Sequence, residues 1–288
     1  MMPLYRKSNL NKILPLILNK SKYYDLKLFD VSLRDGLQSQ DKIHTLEEKT
    51  KILDTIIEKY STKSIEIGSL VSEKVLPQLK NSLELYNYSI NNYKNIDFFM
   101  LIPNLNYTKK ALNLKIRNMS FITSVSNDFQ IKNINKTLQK TKEELVSISK
   151  LIDNNIDNTK LYISCINKCP ISGTINNDFI INEILFYSTI KNFHELCLSD
   201  TCGELDFNNF KIIIDSILNH VDNNKISLHL HTSNDLINLK KIIDYSIEKN
   251  IKKFDISILN SGGCSVTIKQ NKLNNNLTYD TLFKLLEN

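Results

Sequence analysis

The chain has 288 residues, 41% of them hydrophobic and 24% charged, with a formal net charge of +6. These values are ordinary for a globular protein, and the length suits one α/β barrel or two smaller domains. The positive excess is spread along the chain without a basic stripe interleaved with aromatics, which argues against nucleic acid and suits an anionic substrate.

No apolar run approaches the ~18 residues of a membrane span. Five cysteines without paired C-x2-C clusters read as reduced thiols of an intracellular compartment. Cys165 and Cys169 are the closest pair, and no second pair completes a zinc site. Residues 1–24 hold Arg6, Lys7, Lys12, Lys20 and Lys22 and no acid, with Pro15 inside the apolar stretch. They read as an N-terminal extension ahead of a single domain over 25–288. The expected compartment is the cytoplasm, with the mitochondrial matrix as the alternative.

In chain order, apolar strand patterns at Leu26–Leu33, Ser64–Ile67, Ile96–Ile102, Ile116–Ser124, Lys160–Cys165, Glu195–Ser199, Lys225–His231 and Lys253–Ile258 alternate with amphipathic stretches. The helical stretches run over Leu46–Tyr60, Ser72–Tyr86, Tyr107–Leu112, Thr137–Asp153, Asn177–Phe193, Asn208–His220, Asn234–Lys249 and Thr278–Leu286. Thr45 and Glu48 have the spacing of a capping box in front of the first helix. Eight βα units in strict alternation predict a closed (β/α)8 TIM barrel. A doubly wound open sheet would show a Gly-rich first turn, which is absent.

The six glycines, Gly36, Gly68, Gly173, Gly203, Gly262 and Gly263, all follow predicted strands. A composition that disfavours glycine keeps it where the backbone tolerates nothing else. In an α/β barrel the loops after the strands form the catalytic face.

Candidate chemistry gathers in those loops. His229 and His231 in "SLHLHTSND" stand two apart on a strand, so both imidazoles share a face. They read either as half of a metal site or as buried histidines satisfying hydrogen bonds. Asp35 in "FDVSLRDGLQSQ" is the natural anionic ligand, and oxygen-rich ligation points to Mg²⁺ or Mn²⁺, though the spacing alone does not exclude zinc. Arg34 beside it keeps its charge and would stabilise a developing oxyanion, or else only orient Asp35. Glu66 in "SIEIGS" and Asp200 in "CLSDTCGE" are carboxylates at strand ends, each with a glycine two or three positions on. Cys264 in "NSGGCS" places a thiol on a glycine-bearing loop, where it could move a proton.

With these residues assembled, the chain resembles the 3-hydroxy-3-methylglutaryl-CoA lyases of the DRE-TIM metallolyases from about Leu26 to Leu286. "RDGLQ", "IEIGSLVSEKVLPQL", "IPNL", "YISCINKCP", "LSDTCG", "LHLH" and "SGGC" follow in family order. The resemblance implies a divalent cation held by Asp35, His229, His231 and an asparagine near the C-terminus. Asn276 fits that asparagine best, with Asn271, Asn274 and Asn275 open. It implies metal-dependent retro-Claisen cleavage of an acyl-CoA thioester to acetyl-CoA and acetoacetate. Arg34 would face the enolate, His229 and Cys264 would handle protons, and Glu66 and Asp200 would support. Gln38 would contact substrate, and the chain would pair as a homodimer. The sequence departs from the family pattern at Thr232, at Asn260, Ser261 and Ser265 around the cysteine loop, and in a longer glycine-free segment before Asn276. A sibling Claisen or aldol catalyst on another acyl-CoA or 2-oxo acid, and a barrel that has lost catalysis, are the alternatives.

Overall fold

The computed structural model describes residues 25–153, 155–232, 235–263 and 274–287. In chain order the elements are β1 (Lys27–Asp30), α1 (Leu46–Tyr60), β2 (Ser64–Ser69), α2 (Ser82–Asn92), β3 (Asp97–Leu101), α3 (Leu105–Asn113) and β4 (Asn118–Ser124). Two helices, α4 (Asn127–Ile134) and α5 (Leu138–Leu151), precede β5 (Asn158–Ser164). A short hairpin, β6 (Lys168–Cys169) with β7 (Gly173–Thr174), then leads into α6 (Asn177–Thr189). The chain continues through β8 (Glu195–Ser199), α7 (Phe207–Ile217), β9 (Ile226–His229), α8 (Leu236–Glu248), β10 (Lys253–Ile256) and α9 (Tyr279–Glu287).

Strands β1, β2, β3, β4, β5, β8, β9 and β10 pair in parallel, and β10 returns to β1 with Ile256 beside Asp30. This closed sheet is the expected (β/α)8 barrel. Among the described residues no helix is long and apolar enough to cross a membrane.

Side-chain alternation along each strand separates two layers. On β5, Leu161 and Ile163 face the helices and join the main apolar core, as Phe254 and Ile256 do on β10. Their neighbours Lys160, Tyr162 and Asp255 are buried too and point into the barrel. The interior therefore holds polar groups around a small apolar plug of Phe29, Val31 and Phe99. The Phe29 and Phe99 rings meet edge-on at 5.0 Å, an arrangement favoured by the ring quadrupoles.

Local signals explain most element ends. Thr45 and Glu48 form the expected capping box, with both hydrogen bonds made. Asn104, Ser126, Thr137, Asn176, Asp206 and Asp235 cap the starts of α3 to α8. Asparagine also does work usually given to glycine, since Asn81, Asn135, Asn192 and Asn250 all have positive φ. Its short amide side chain makes the left-handed region accessible, which lets Asn192 and Asn250 turn two helix-to-strand loops without glycine.

Several boundaries differ from the sequence reading, and two short elements are added to it. The first strand ends at Asp30 rather than Leu33, because Ser32–Gly36 wind into one π-helical turn. The second helix begins at Ser82 rather than Ser72: Pro77–Leu79 form a single 3-10 turn, and Asn81 at φ 63° interrupts the path. Helix α4 and the β6–β7 hairpin carry too few apolar positions to register as periodic elements. Gly68 lies within β2, at a register shift between Glu66 and Gly68, rather than after it.

Candidate active site

The π-helical turn after β1 sets the geometry of the first motif. A wide turn swings Arg34 and Asp35 back over the barrel mouth, and both are buried despite their charge. The guanidinium bridges two carboxylates: Nε donates to Glu66 Oε2 at 2.5 Å and Nη1 to Asp35 Oδ1 at 2.6 Å. Glu66, fully buried inside β2, also accepts from the Ser120 hydroxyl and from the Tyr162 hydroxyl at 3.1 Å. Arg34 lies 5.0 Å from the Tyr162 ring centre. Glu66 thus holds Arg34 in place through contacts that saturate its own oxygens.

Asp35 Oδ1 also accepts from Gln38 Nε2 at 2.9 Å, and Oδ2 accepts from the Gly263 amide at 3.0 Å. Burial on its own would raise this carboxyl, but Arg34, the two imidazoles and the Gly263 amide outweigh it and hold Asp35 well below the usual carboxylate range.

His229 closes β9, and the chain continues extended to His231, which bridges to Asn276. The two imidazole centres stand 5.0 Å apart with rings nearly perpendicular. His231 Nδ1 lies 2.5 Å from the backbone oxygen of Asp200. A carbonyl only accepts, so Nδ1 carries the proton and Nε2 presents a lone pair. That Nε2 is buried with no hydrogen-bond partner among the described residues. Burial, followed by the neighbouring His229, lowers the His231 pKa to about 4, so the ring is neutral at pH 7. His229 Nδ1 sits 3.1 Å from Asp255 Oδ2, while its Nε2 faces Asp35 Oδ2 at 3.8 Å. The ligand atoms of Asp35, His229 and His231 all lie within 4.8 Å of one another, a spacing that could hold a metal ion.

Asn276, in the segment before α9, lies beside His231 through that bridge. The Leu277 amide donates to Leu230 O at 2.9 Å, and the Thr232 amide to Asn275 O at 2.7 Å. Thr232 adds a hydroxyl bond to Asn276 O at 3.2 Å, giving the departure at this position a structural role. Both side-chain amide atoms of Asn276 are buried and have no hydrogen-bond partner among the described residues. Asn274 instead donates to Cys202 O at 2.6 Å, and Asn275 is exposed.

Two buried polar groups without partners among the described residues, His231 Nε2 and the Asn276 amide, would each cost about 1–3 kcal/mol if nothing met them. Asp35, His229 and His231 make a nitrogen-and-oxygen donor set suited to a divalent cation.

The other expected residues are placed as follows. The Asp200 carboxylate turns to its own loop, accepting from the Glu204 and Leu205 amides at 3.2 and 3.1 Å, and only its backbone oxygen meets His231. Burial raises its pKa to about 6 against those amide bonds. Gln38 lines the cavity and reaches toward Gly263 O at 3.4 Å. Cys264 and Asn271 lie outside the described residues, as do residues 1–24. Cys165 and Cys169 are both buried; Cys169 Sγ accepts from Ser126 Oγ and from the Ile171 and Ser172 amides, fixing the hairpin turn.

Tyr162, Ser120 and Asp255 also join the site; the first opens "YISCINKCP", and the other two belong to none of the motifs. Their signal is a polar residue at every second position of an otherwise apolar strand, as in Lys160, Tyr162 and Ser164 of "KLYIS".

A cavity of roughly 900 Å³, part of it open to solvent, lies over this cluster. Its lining includes Arg34, Asp35, Gln38, His229 and His231 together with the apolar Val71, Leu76, Leu101, Ile122, Phe129 and Ile134.

Residues 25–237 match the HMGL-like family model. The chain belongs to the HMGL-like family. It is 25% identical over 244 residues to the 3-hydroxy-3-isohexenylglutaryl-CoA/hydroxy-methylglutaryl-CoA lyase of Pseudomonas aeruginosa, covering 83% of this chain and 78% of that protein. It is 25% identical over 240 residues to the human mitochondrial hydroxymethylglutaryl-CoA lyase, covering 83% and 72%. Among solved structures, the hydroxymethylglutaryl-CoA lyase of P. aeruginosa superposes with a TM-score of 0.80 at 24% identity, covering 91% of this chain and 85% of that one. An HMG-CoA lyase from Acenitobacter baumannii in complex with coenzyme A and 3-methylmalate gives 0.81 at 22% identity, covering 91% and 83%. This HMGL-like protein is therefore a divergent carbon–carbon lyase, and the structural neighbours share its fold.

Proposed function

We propose that this lyase cleaves 3-hydroxy-3-methylglutaryl-CoA to acetoacetate and acetyl-CoA with the help of Mg²⁺ or Mn²⁺. The observation that carries the reading is the meeting of the Asp35, His229 and His231 ligand atoms beside a fixed Arg34, with the buried Asn276 bridged to His231. Asp35, His229, His231 and Asn276 would hold the cation, which when bound would orient and polarise the oxygens of the substrate.

The remaining chemistry falls to side chains. A base removes the proton of the 3-hydroxyl, the C2–C3 bond breaks, and its electron pair moves onto the thioester as an enolate. His229 and Cys264 are the groups assigned to proton movement, the second returning a proton to the enolate carbon. Arg34 stabilises the enolate oxygen, and its two carboxylate partners keep it pre-organised, so little reorganisation accompanies charge development. Glu66 fixes Arg34 from the interior, Asp200 holds the His231 ring through its backbone oxygen, and Gln38 contacts substrate at the rim.

The test is release of acetyl-CoA and acetoacetate by purified protein with added Mg²⁺ or Mn²⁺, and again after EDTA. Metal-loaded protein with no release of either product would refute the reading, and would favour a barrel without turnover. A second reading rests on the apolar cavity lining of Leu76, Leu101, Ile122, Phe129 and Ile134. In it, the preferred substrate carries a larger alkyl group at C3. A kcat/KM for a 3-alkyl homologue above that for the 3-methyl compound would decide for it.

A further inference from the structure

Lys160 has no part in the reaction just described, yet it stands in the centre of the barrel, 1% exposed. Its ammonium bonds Asp255 Oδ1 and lies 3.0 Å from Glu195 Oε1, while Glu195 Oε2 meets Lys253 at 3.0 Å. It packs 3.8 Å from the Phe29 ring centre and 5.2 Å from that of Tyr162. Asp255 is buried as well, and divides its oxygens: Oδ1 meets Lys160 and Oδ2 meets His229 Nδ1 at 3.1 Å. The Cys197 thiol makes a longer contact to Oδ2 at 3.6 Å.

A buried ion pair is a poor way to stabilise a core, because desolvating both charges offsets much of their attraction. An apolar pair would fill the same space. What the charged pair adds is direction. With one oxygen tied to Lys160, the Asp255 carboxylate cannot rotate freely, and its second oxygen is aimed at a single ring nitrogen of His229. An acceptor fixed at Nδ1 keeps the proton there and leaves Nε2 as the lone-pair nitrogen facing Asp35. Such outer partners govern ligand orientation at metal sites generally.

We propose that Lys160 and Asp255 are positioning residues: Lys160 clamps Asp255, and Asp255 sets the tautomer and ring orientation of His229, so that Nε2 serves the reaction site. This rests on the proposed role of His229.

Two readouts test it without reference to turnover. ¹⁵N NMR of histidine-labelled protein, with His229 assigned by a His229→Gln variant, reads the tautomer directly. Mn²⁺ titration followed by EPR reads the affinity of the site. Asp255→Asn and Lys160→Met are expected to abolish the pure Nδ1–H tautomer and to weaken Mn²⁺ binding by about 10–100-fold, whereas Lys160→Arg should stay within about threefold of the parent. Folded Lys160→Met and Asp255→Asn proteins with the parental tautomer and Mn²⁺ affinity would overturn the inference. If Lys160→Met alone does not fold, Lys160→Met/Asp255→Asn is compared with Asp255→Asn. Equal affinities support action through Asp255, and a further tenfold loss overturns it. Parent protein that shows the Nδ1–H tautomer but binds no Mn²⁺ would sink the metal-dependent function while leaving this inference standing on the NMR result.

Discussion

Gly262→Ala isolates the contribution of Asn276. A Cβ built on Gly262 would lie 2.5 Å from Asn276 Oδ1 and closer still to its Cγ and Nδ2. Ordinary contact is about 3.5 Å, so the amide must retreat by roughly 1 Å. Asn276 has no slack in which to do this, since it is buried and its backbone is tied to Ser261 and Thr232. Gly262 also has φ 149°, a strain of about 1–3 kcal/mol for alanine. Displacing one ligand should cost about 10–100-fold in Mn²⁺ affinity, and misplacement near 1 Å should lower kcat/KM by about 100-fold. The control is Gly173→Ala, where φ is 84° but nothing lies within 4 Å of the added carbon. It should lose comparable backbone stability and keep its Mn²⁺ affinity. EPR titration with a thermal melt on each protein separates strain from ligation. A folded Gly262→Ala protein that binds Mn²⁺ within twofold of the parent would show that Asn276 is not a ligand.

Three further outcomes follow from the geometry. Asp30 is buried between β1 and α9, accepting from the Ser32 amide at 2.8 Å and from the Tyr279 hydroxyl at 3.0 Å, and burial lifts its pKa from 3.8 to about 7. Between about pH 4 and 7 the folded form is protonated while the unfolded form is ionised, so stability falls as pH rises, by up to roughly 4 kcal/mol. Asp30→Asn can keep both contacts without a charge; urea melts should show it gaining on the parent at pH 8 with the gap closing toward pH 4, and a pH-independent gap would refute this. Arg34→Lys cannot reach Glu66 and Asp35 with one planar fork, so kcat should drop on the order of 10²–10³-fold while far-UV circular dichroism stays unchanged. Mn²⁺ at about 100 times its Kd should stabilise the protein by about 2.7 kcal/mol, read as a rise in Tm that EDTA reverses, and a Tm indifferent to Mn²⁺ would count against ligation by Asp35, His229 and His231.

The legibility of this chain follows the range of the forces involved. Strand and helix patterns were readable because each strand turns apolar residues such as Leu161, Ile163, Phe254 and Ile256 to the helices. Eight repeats of that pattern close one sheet. The H-x-H spacing of His229 and His231 placed two rings together through strand geometry alone, and the RDGLQ run located Arg34 and Asp35.

Sequence thus determined the barrel, the loops that carry chemistry and the residue types at its mouth, since those depend on local periodicity and motif order. Tertiary structure decided what each residue touches. The π-helical turn replaced the end of the first strand because Arg34 is captured by Glu66, 32 positions away. Asn276 stands apart from Asn274 and Asn275 only through burial and the absence of a partner among the described residues. Asp200 turned its carboxylate to its own loop amides, and Lys160 found Asp255 across the barrel. Such pairings depend on strand order and register at closure, which bring together side chains far apart in the chain, and no local pattern encodes them.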